Sequence, residues 1–198
     1  NSSAASDVYK RQHLVYAGRG KEIVGDDLEP AETRRVVEHL LDRTKDWHER
    51  GVETEVLTTD NHADGVYVYL RLLRENPERA AKALELLRYN EGNSSGVGIG
   101  CVSWDGTVHP DQFWRSLKLG NVLERPFGEI WLDTSDPVMA GLKDRRALLG
   151  GRCARCRYLD ICNGNLRERA EAVFGDMWAE DPARNILDPE TNLYRMII

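Results

Sequence analysis

Three of the four cysteines, Cys153, Cys156 and Cys162, fall within ten consecutive positions, and no other feature limits the fold of this chain as tightly. Two residues between the first pair put both sulfurs on one tight turn, and five more let Cys162 fold back on to the same centre. Thiolates are soft donors suited to zinc or to iron–sulfur clusters. The flanking Arg152, Arg155 and Arg157 are expected to lower the thiol pKa and to offset the negative charge of a thiolate-bound cluster. A second close pair, the usual completion of a structural zinc site, does not accompany the triad. The spacing by itself leaves three readings open: an iron–sulfur cluster, a structural zinc ion, or unligated cysteines packed in a core.

At 198 residues the chain can bury enough surface to fold without disulfide staples. Four cysteines with no export signal read as metal-binding or redox residues. A formal charge of −6 excludes nucleic acid and anionic membrane surfaces as expected partners, because phosphate binding wants a basic field. No apolar run approaches the roughly 20 residues that span a bilayer. The expectation is a cytoplasmic protein.

Residues 1–12 are small and polar without apolar periodicity and are set aside as a disordered or non-native extension. The apolar run 13–17 predicts a short buried strand. Glu29-Pro30 opens a helix, along which Val36, Val37, Leu40, Leu41, Thr44 and Trp47 recur at helical spacing until Gly51. Residues 52–58 predict a second strand, Asp60 to Gly65 a polar turn, and 66–75 a resumed apolar run. A further helix carries Ala80, Ala81, Leu84 and Leu87. Strand, helix, strand, helix implies parallel strands with crossover helices. Two such units cannot close a barrel, so 13–90 is expected to be the end of a larger α/β domain, cut before Leu14.

The glycine- and serine-rich stretch 91–96 predicts a link to a second domain, 91–198. Beyond it, 97–104 and 107–109 flank Asp105-Gly106, a strong hairpin signal. Gly98 and Gly100 inside the first of these strands imply close approach of another group. A helix is predicted over 127–132, with the cysteines downstream.

These segments carry a resemblance. GIGCVSWDGTVHP (98–110), LGNVLERPFGEIW (119–131) and CARCRYLDICNGN (153–165) resemble, in that order, the cluster-binding extension called SPASM or twitch in radical SAM enzymes. HLVYAGRG (13–20), TTDNHADGVYV (58–68), GIGCVSWDGTVHPDQFW (98–114) and RAEAVFGDMWAEDPA (169–183) are similar to radical SAM proteins of heme d1 biosynthesis. The resemblance covers essentially all of 13–183. It implies an α/β fold in which 13–90 is the C-terminal part of a TIM-like radical SAM barrel and 91–198 is a small SPASM/twitch domain of hairpin, helices and cysteine cluster. It also implies S-adenosylmethionine and a SAM-cleaving [4Fe-4S] cluster in the full-length enzyme, an auxiliary [4Fe-4S] cluster here, and an electron donor that reduces the clusters. The implied substrate is a tetrapyrrole, didecarboxysiroheme, losing propionate side chains. The barrel's three-cysteine motif is not in this sequence, so this piece alone is not expected to cleave SAM.

Two departures bear on the cluster. Asp111 and Leu166 stand where full SPASM domains have further cysteines, which leaves one auxiliary cluster. The family's fourth ligand falls after Asp181-Pro182-Ala183, where this chain has Arg184. Cys101 is the substitute, although alternation along Val97, Ile99, Cys101 and Ser103 equally buries it as a small apolar residue.

Other residues carry paired readings. Asn61, His62 and Asp64 follow the second strand, where barrel ligands bind; they either line a cofactor or substrate cavity or cap a helix. His13 either faces the same cavity or is structural. His109 and Trp104 either approach a tetrapyrrole or pack the hairpin. Arg167 and Arg169 either meet substrate carboxylates or form a solvated helix face. The alternatives to the heme d1 reading are a related enzyme acting on another heme precursor or a peptide, and a non-catalytic zinc module.

Overall fold

A computed structural model describes residues 8–183 and residue 186. Its first strand comes earlier than the sequence suggests. β1 (Val8–Gln12) pairs in parallel with β2 (Glu55–Thr59), in register from Val8 opposite Glu55 to Gln12 opposite Thr59. The parallel pairing is the one expected, but the strand is Val8–Gln12 and not 13–17. Residues 13–17 were misread because their burial comes from packing and not from a ladder. Val15 and Tyr16 are buried just past the strand end, where Tyr16 Oη donates to Asp27 Oδ2 at 2.8 Å. Val8–Gln12, read from the sequence as part of a disordered or non-native extension, is thus an ordered strand, and residues 1–7 lie outside the described residues.

α1 (Pro30–Glu49) begins where Glu29-Pro30 predicted. The Glu29 backbone N–H donates to Glu32 at 3.1 Å, and proline at the first turn needs no donor. α2 (Ala63–Glu75) and α3 (Pro77–Asn90) follow, the latter capped by Asn76, whose Oδ1 accepts from the Arg79 N–H at 3.1 Å. Val37 of α1 and Ala63, Val66, Tyr67 and Leu70 of α2 form one core with Tyr158, Ile161 and Ile186. Burying a side chain of this size contributes about 1.5–3 kcal/mol, and here it joins the cysteine stretch to the first ninety residues. Cys156 and Cys162 pack against the edge of the same core.

Stretch 91–96 is accordingly not a free link. Gly92 has φ +67°, and a Cβ there would lie 2.5 Å from the Cys162 carbonyl carbon, so only glycine lets the two loops touch. Asn93 is buried and, besides the Ser95 N–H of its own loop on Oδ1 (3.2 Å), gathers three partners from elsewhere in the chain. Its N–H donates to the Cys162 carbonyl (3.2 Å), its carbonyl accepts from Asn163 Nδ2 (2.8 Å), and its Oδ1 accepts from Arg145 (2.7 Å).

The hairpin forms around Asp105-Gly106 as predicted. β3 (Cys101–Val102) and β4 (Thr107–His109) are antiparallel, and β5 (Gly120–Asn121) adds a third strand. The strand read at 97–104 is reduced to Cys101–Val102. The Ser94 carbonyl accepts from the N–H groups of Val97, Gly98 and Ile99 at 2.9–3.1 Å and coils the chain before it can extend. Gly100 does mark a close approach, since its Cβ would lie 2.7 Å from the Trp131 ring. α4 (Phe127–Leu132) matches its predicted span, and α5 (Pro137–Lys143) is capped by Asp136. Met139 and Leu142 of α5 form a second core with Trp114, against which Trp131 of α4 packs. The short α6 (Leu159–Cys162) and α7 (Arg167–Phe174) complete the described chain. Among the described residues no helix is long and apolar enough to cross a membrane.

Candidate metal centre

Cys153 opens a single 3-10 turn that closes with the Cys156 N–H donating to the Cys153 carbonyl at 3.2 Å, so the first two thiols share one loop. Cys162 is the last residue of α6. Asn163, Gly164 and Asn165 then take φ of 50°, 78° and 61°, three left-handed residues in succession that turn the chain sharply back. Asparagine and glycine tolerate that region best. The three thiols act on one another electrostatically. Cys153 and Cys156 both raise the pKa of Cys162, and Cys153 raises that of Cys156.

Burial is the larger cause. It raises the Cys156 thiol and pushes Cys162 up to about 12. The expectation that neighbouring arginines depress these thiols is thereby overturned for Cys156 and Cys162. Arg157 lowers Cys156 only slightly, its guanidinium sitting 5.1 Å over the Tyr158 ring, and Arg152 faces Glu180 at 3.7 Å. The cation that does face the thiols is Arg167, which is 1% exposed and interacts with Cys153 and Cys162. Its terminal nitrogens donate to the carbonyls of Met177 (3.0 Å), Ala179 (2.5 Å) and Gly164, while its Nε is buried without a partner.

A cavity of about 450 Å³ opens beside the loop, walled by Tyr69, Arg88, Arg146, Cys156, Arg157 and Tyr158. Among the described residues no group of three His, Cys, Asp or Glu side chains is gathered as a single metal ion requires. The donor set still fits an iron–sulfur cluster. It offers three soft sulfurs within ten residues, in surroundings where burial disfavours the thiolates of Cys156 and Cys162 and a metal centre can take the place of the thiol protons, with a buried guanidinium, one N–H of it orphaned, interacting with two of them.

Cys101 belongs to the hairpin sheet, opposite His109, and is half-buried there. Arg184 lies outside the described residues. Asp111 fills its position with a carboxylate that accepts from the N–H of Phe113 (2.8 Å) and of Trp114 (2.9 Å) and from Ser95 Oγ, sixteen residues away (2.6 Å). Leu166 is buried core.

Asn61, His62 and Asp64 are brought together with His13 at the end of β2, joined to the cysteine loop. Asp64 Oδ2 meets His13 Nε2 at 2.7 Å with both side chains buried. Asn61 donates to the Ala183 carbonyl (3.0 Å), and its Oδ1 accepts from Asn165 Nδ2 (2.7 Å) and from the Ala63 N–H (3.2 Å). The His62 N–H donates to Asn165 Oδ1 at 2.8 Å, and burial lowers its imidazole to about 4. His13 is thus tied into the structure, and Asn61, through the Ala63 N–H, the Ala183 carbonyl and Asn165, ties the start of α2 to the C-terminal segments.

One further expectation is corrected, and one paired reading falls on its packing side. Arg167 and Arg169 form no solvated face, both being buried among protein partners. Arg169 is fully buried, bidentate to Asp181 at 2.9 Å through both contacts, and its third nitrogen donates to the carbonyls of Leu14 (2.9 Å) and Asp60 (3.1 Å). His109 packs the hairpin, with its ring nitrogens 2.9 Å from Ser103 Oγ and 2.7 Å from the Leu117 carbonyl, whereas Trp104 stands 93% exposed. Sequence reasoning missed Gly92, Asn93, Arg145 and Asn165, which hold the cysteine loop. The run Asn163-Gly164-Asn165 directly after Cys162 was the available signal, since adjacent Asn and Gly mark left-handed turns.

Residues 98–157 match the SPASM family, described as an iron-sulfur cluster-binding domain. The chain is similar to the Fe-coproporphyrin III synthase of Methanosarcina barkeri, 60% identical over 185 residues covering 92% of this chain and 46% of that protein. It is also similar to the pre-heme d1 synthase of Dinoroseobacter shibae, 41% identical over 189 residues with 93% and 46% covered. A third relative is the AdoMet-dependent heme synthase of Methanosarcina barkeri, 29% identical over 174 residues with 85% and 45% covered. The chain spans about half the length of the curated relatives it matches. No solved structure matches it significantly.

Proposed function

Because this chain belongs to the SPASM-bearing radical SAM proteins of heme biosynthesis, we propose that it is the auxiliary-cluster part of an enzyme that modifies a tetrapyrrole. The observation that carries this reading is the cysteine stretch: three interacting thiols, with burial raising the pKa of Cys156 and of Cys162. Cys153, Cys156 and Cys162 would hold a [4Fe-4S] cluster. Such a cluster supplies one-electron chemistry when bound.

What the chain itself does is hold the loop. Gly92 and Asn93 dock the Cys162 carbonyl, Arg145 braces Asn93, and Arg167 places positive charge beside the sulfurs. Asn61, His62 and Asp64 stand at the C-terminal end of β2, the end at which barrel ligands bind. With Asn61 and Asp64 bonded to protein, we assign all three to shaping the floor of a cofactor cavity. S-adenosylmethionine, a second [4Fe-4S] cluster and the external electron donor belong to the proposed whole enzyme, whose TIM-like barrel would include 13–90. Thiols kept unpaired suit a cytoplasmic setting.

Two substrates stay in view, that of heme d1 biosynthesis, implied by the resemblance, and another heme precursor. Identity of 60% with a Fe-coproporphyrin III synthase against 41% with a pre-heme d1 synthase favours formation of Fe-coproporphyrin III from a carboxylate-rich iron tetrapyrrole. Anaerobic reconstitution of the chain with iron and sulfide is the test. A brown protein holding about four irons, with iron lost on Cys153→Ser, Cys156→Ser or Cys162→Ser, is the expected result. A colourless chain that takes up zinc and refuses iron would establish the non-catalytic zinc module instead.

A further inference from the structure

Away from the cysteines, a cavity of about 470 Å³ lies between the loop that follows β1 and the segment that follows the hairpin. Gly18 and Lys21 line one side, and Phe113, Arg115 and Ser116 the other. Glu168, from the first turn of α7, forms part of the wall. It is 5% exposed, and its Oε2 is one of two buried side-chain polar atoms among the described residues that have no hydrogen-bond partner. Native proteins almost always satisfy such atoms, so each exception calls for a missing partner.

The electrostatics say which kind of partner. Burial first, then the charges of Asp111 and Glu171, raise the Glu168 carboxyl to about 8, against the opposing pull of Lys21 and Arg169. At neutral pH the group carries its proton and can donate a hydrogen bond, as an ionised carboxylate cannot. Lys21 and Arg115 are exposed at the rim, and neither forms an ion pair among the described residues. Two uncommitted cations above a neutral buried donor disfavour a cation and suit an anion. The half-buried Phe113 provides an apolar wall beside them.

We propose that this cavity receives a carboxylate side chain of the tetrapyrrole substrate, with Glu168 donating a hydrogen bond to it and Lys21 and Arg115 balancing its charge. Only the identity of the ligand rests on the tetrapyrrole reading; the carboxylate site stands on the cavity. Ionisation of Glu168 would remove the donor and place two negative groups face to face. Affinity should hold between pH 6 and 7 and fall as pH rises through about 8. The groups facing Glu168 across that range are Asp111, Lys21, Glu171 and Arg169, with Arg115 at the rim.

Coproporphyrin III and its tetramethyl ester, followed by fluorescence on the full 198-residue chain, are the probes, with propionate followed in parallel by saturation-transfer NMR. The acid should bind at least about tenfold more tightly than the ester, the range of a charge-assisted contact. Lys21→Gln and Arg115→Gln should each weaken the acid and leave the ester unchanged. Glu168→Gln, whose amide still donates, should bind the acid at pH 7 but lose the fall near pH 8. Glu168→Leu should bind weakly throughout. If coproporphyrin III binds all variants alike, the tetrapyrrole reading survives and this cavity is not its carboxylate site. If the porphyrin fails to bind while propionate binds in a manner dependent on Glu168, Lys21 and Arg115, the carboxylate site stands and the tetrapyrrole reading falls. Binding of neither probe overturns the proposal.

Discussion

Replacing Asp181 with alanine should destabilise this protein more than any cysteine substitution in the metal-free chain. Asp181 is 1% exposed and Arg169 fully buried. The carboxylate takes both ends of the guanidinium at 2.9 Å, and accepts from the N–H of Leu166 (3.0 Å) and of Ala183 (2.8 Å). Removing it strands a buried cation, at a cost of about 3–5 kcal/mol. For a chain of this size each kcal/mol moves the melting temperature by about 2–4 °C, so a fall of about 6–20 °C is expected by circular dichroism. Arg169 also holds the Leu14 and Asp60 carbonyls, and amide exchange should rise around those positions as well as in α7. The double variant Arg169→Met with Asp181→Leu removes both charges and should recover much of the loss. A single Asp181→Ala variant that melts within about 2 °C of the parent would refute the reasoning, because it would mean the guanidinium finds water in place of its partner.

Gly92→Ala forces a side chain into the left-handed region, costing about 1–2 kcal/mol, and against the Cys162 carbonyl 2.5 Å away. Reduced thermal stability and reduced iron retention are both expected, and a variant keeping both would remove Gly92 from the site. In the metal-free chain at pH 8, the raised thiols of Cys156 and Cys162 should alkylate far more slowly native than in urea. Mass spectrometry reads this directly, and equal rates for Cys162 in both states would contradict it. Folded Glu168 keeps a proton that the unfolded chain releases, so its contribution to stability is lost as pH rises from about 4.5 to 8. Folded His62 refuses a proton that the unfolded chain takes, so its contribution is lost as pH drops from 6.5 to about 4; the two offset one another between about 4.5 and 6.5, and the net fall appears above about 6.5 and below about 4.5. Urea midpoints across pH should lose the upper slope in Glu168→Gln and the lower one in His62→Gln, and unchanged slopes would count against both assignments.

Features carried by short-range chemistry were legible in the sequence. Glu29-Pro30 started α1, Asp105-Gly106 made the hairpin, and α4 occupied its predicted span. β1 was missed because its residues, Val8-Tyr9-Lys10-Arg11-Gln12, are mostly polar and are a strand only through pairing with β2. Buried Val15 and Tyr16 imitated a strand because apolar runs look alike whether a ladder or a plug buries them. Stretch 91–96 read as a linker for a related reason. Glycine, asparagine and serine are also what a buried loop requires when two backbones touch, and nothing local distinguishes the cases.

Arg167, Glu168 and Arg169 are a sharper instance. Three adjacent charged residues on a helix point in different directions, so a helical period can place at most part of them inside, and a solvated face is the ordinary inference. Here all three are at most 5% exposed. A buried charge persists only with partners, and those partners lie far away in sequence or have yet to bind. Arg169 has Asp181. Arg167 has three carbonyls and the nearby thiols, with its orphaned Nε beside the cysteine loop. Glu168 has no hydrogen-bond partner for Oε2 and borders an open cavity. The two atoms left unsatisfied on this helix therefore face the two places where the chain is proposed to receive something it does not itself supply, a cluster on one side and a carboxylate on the other.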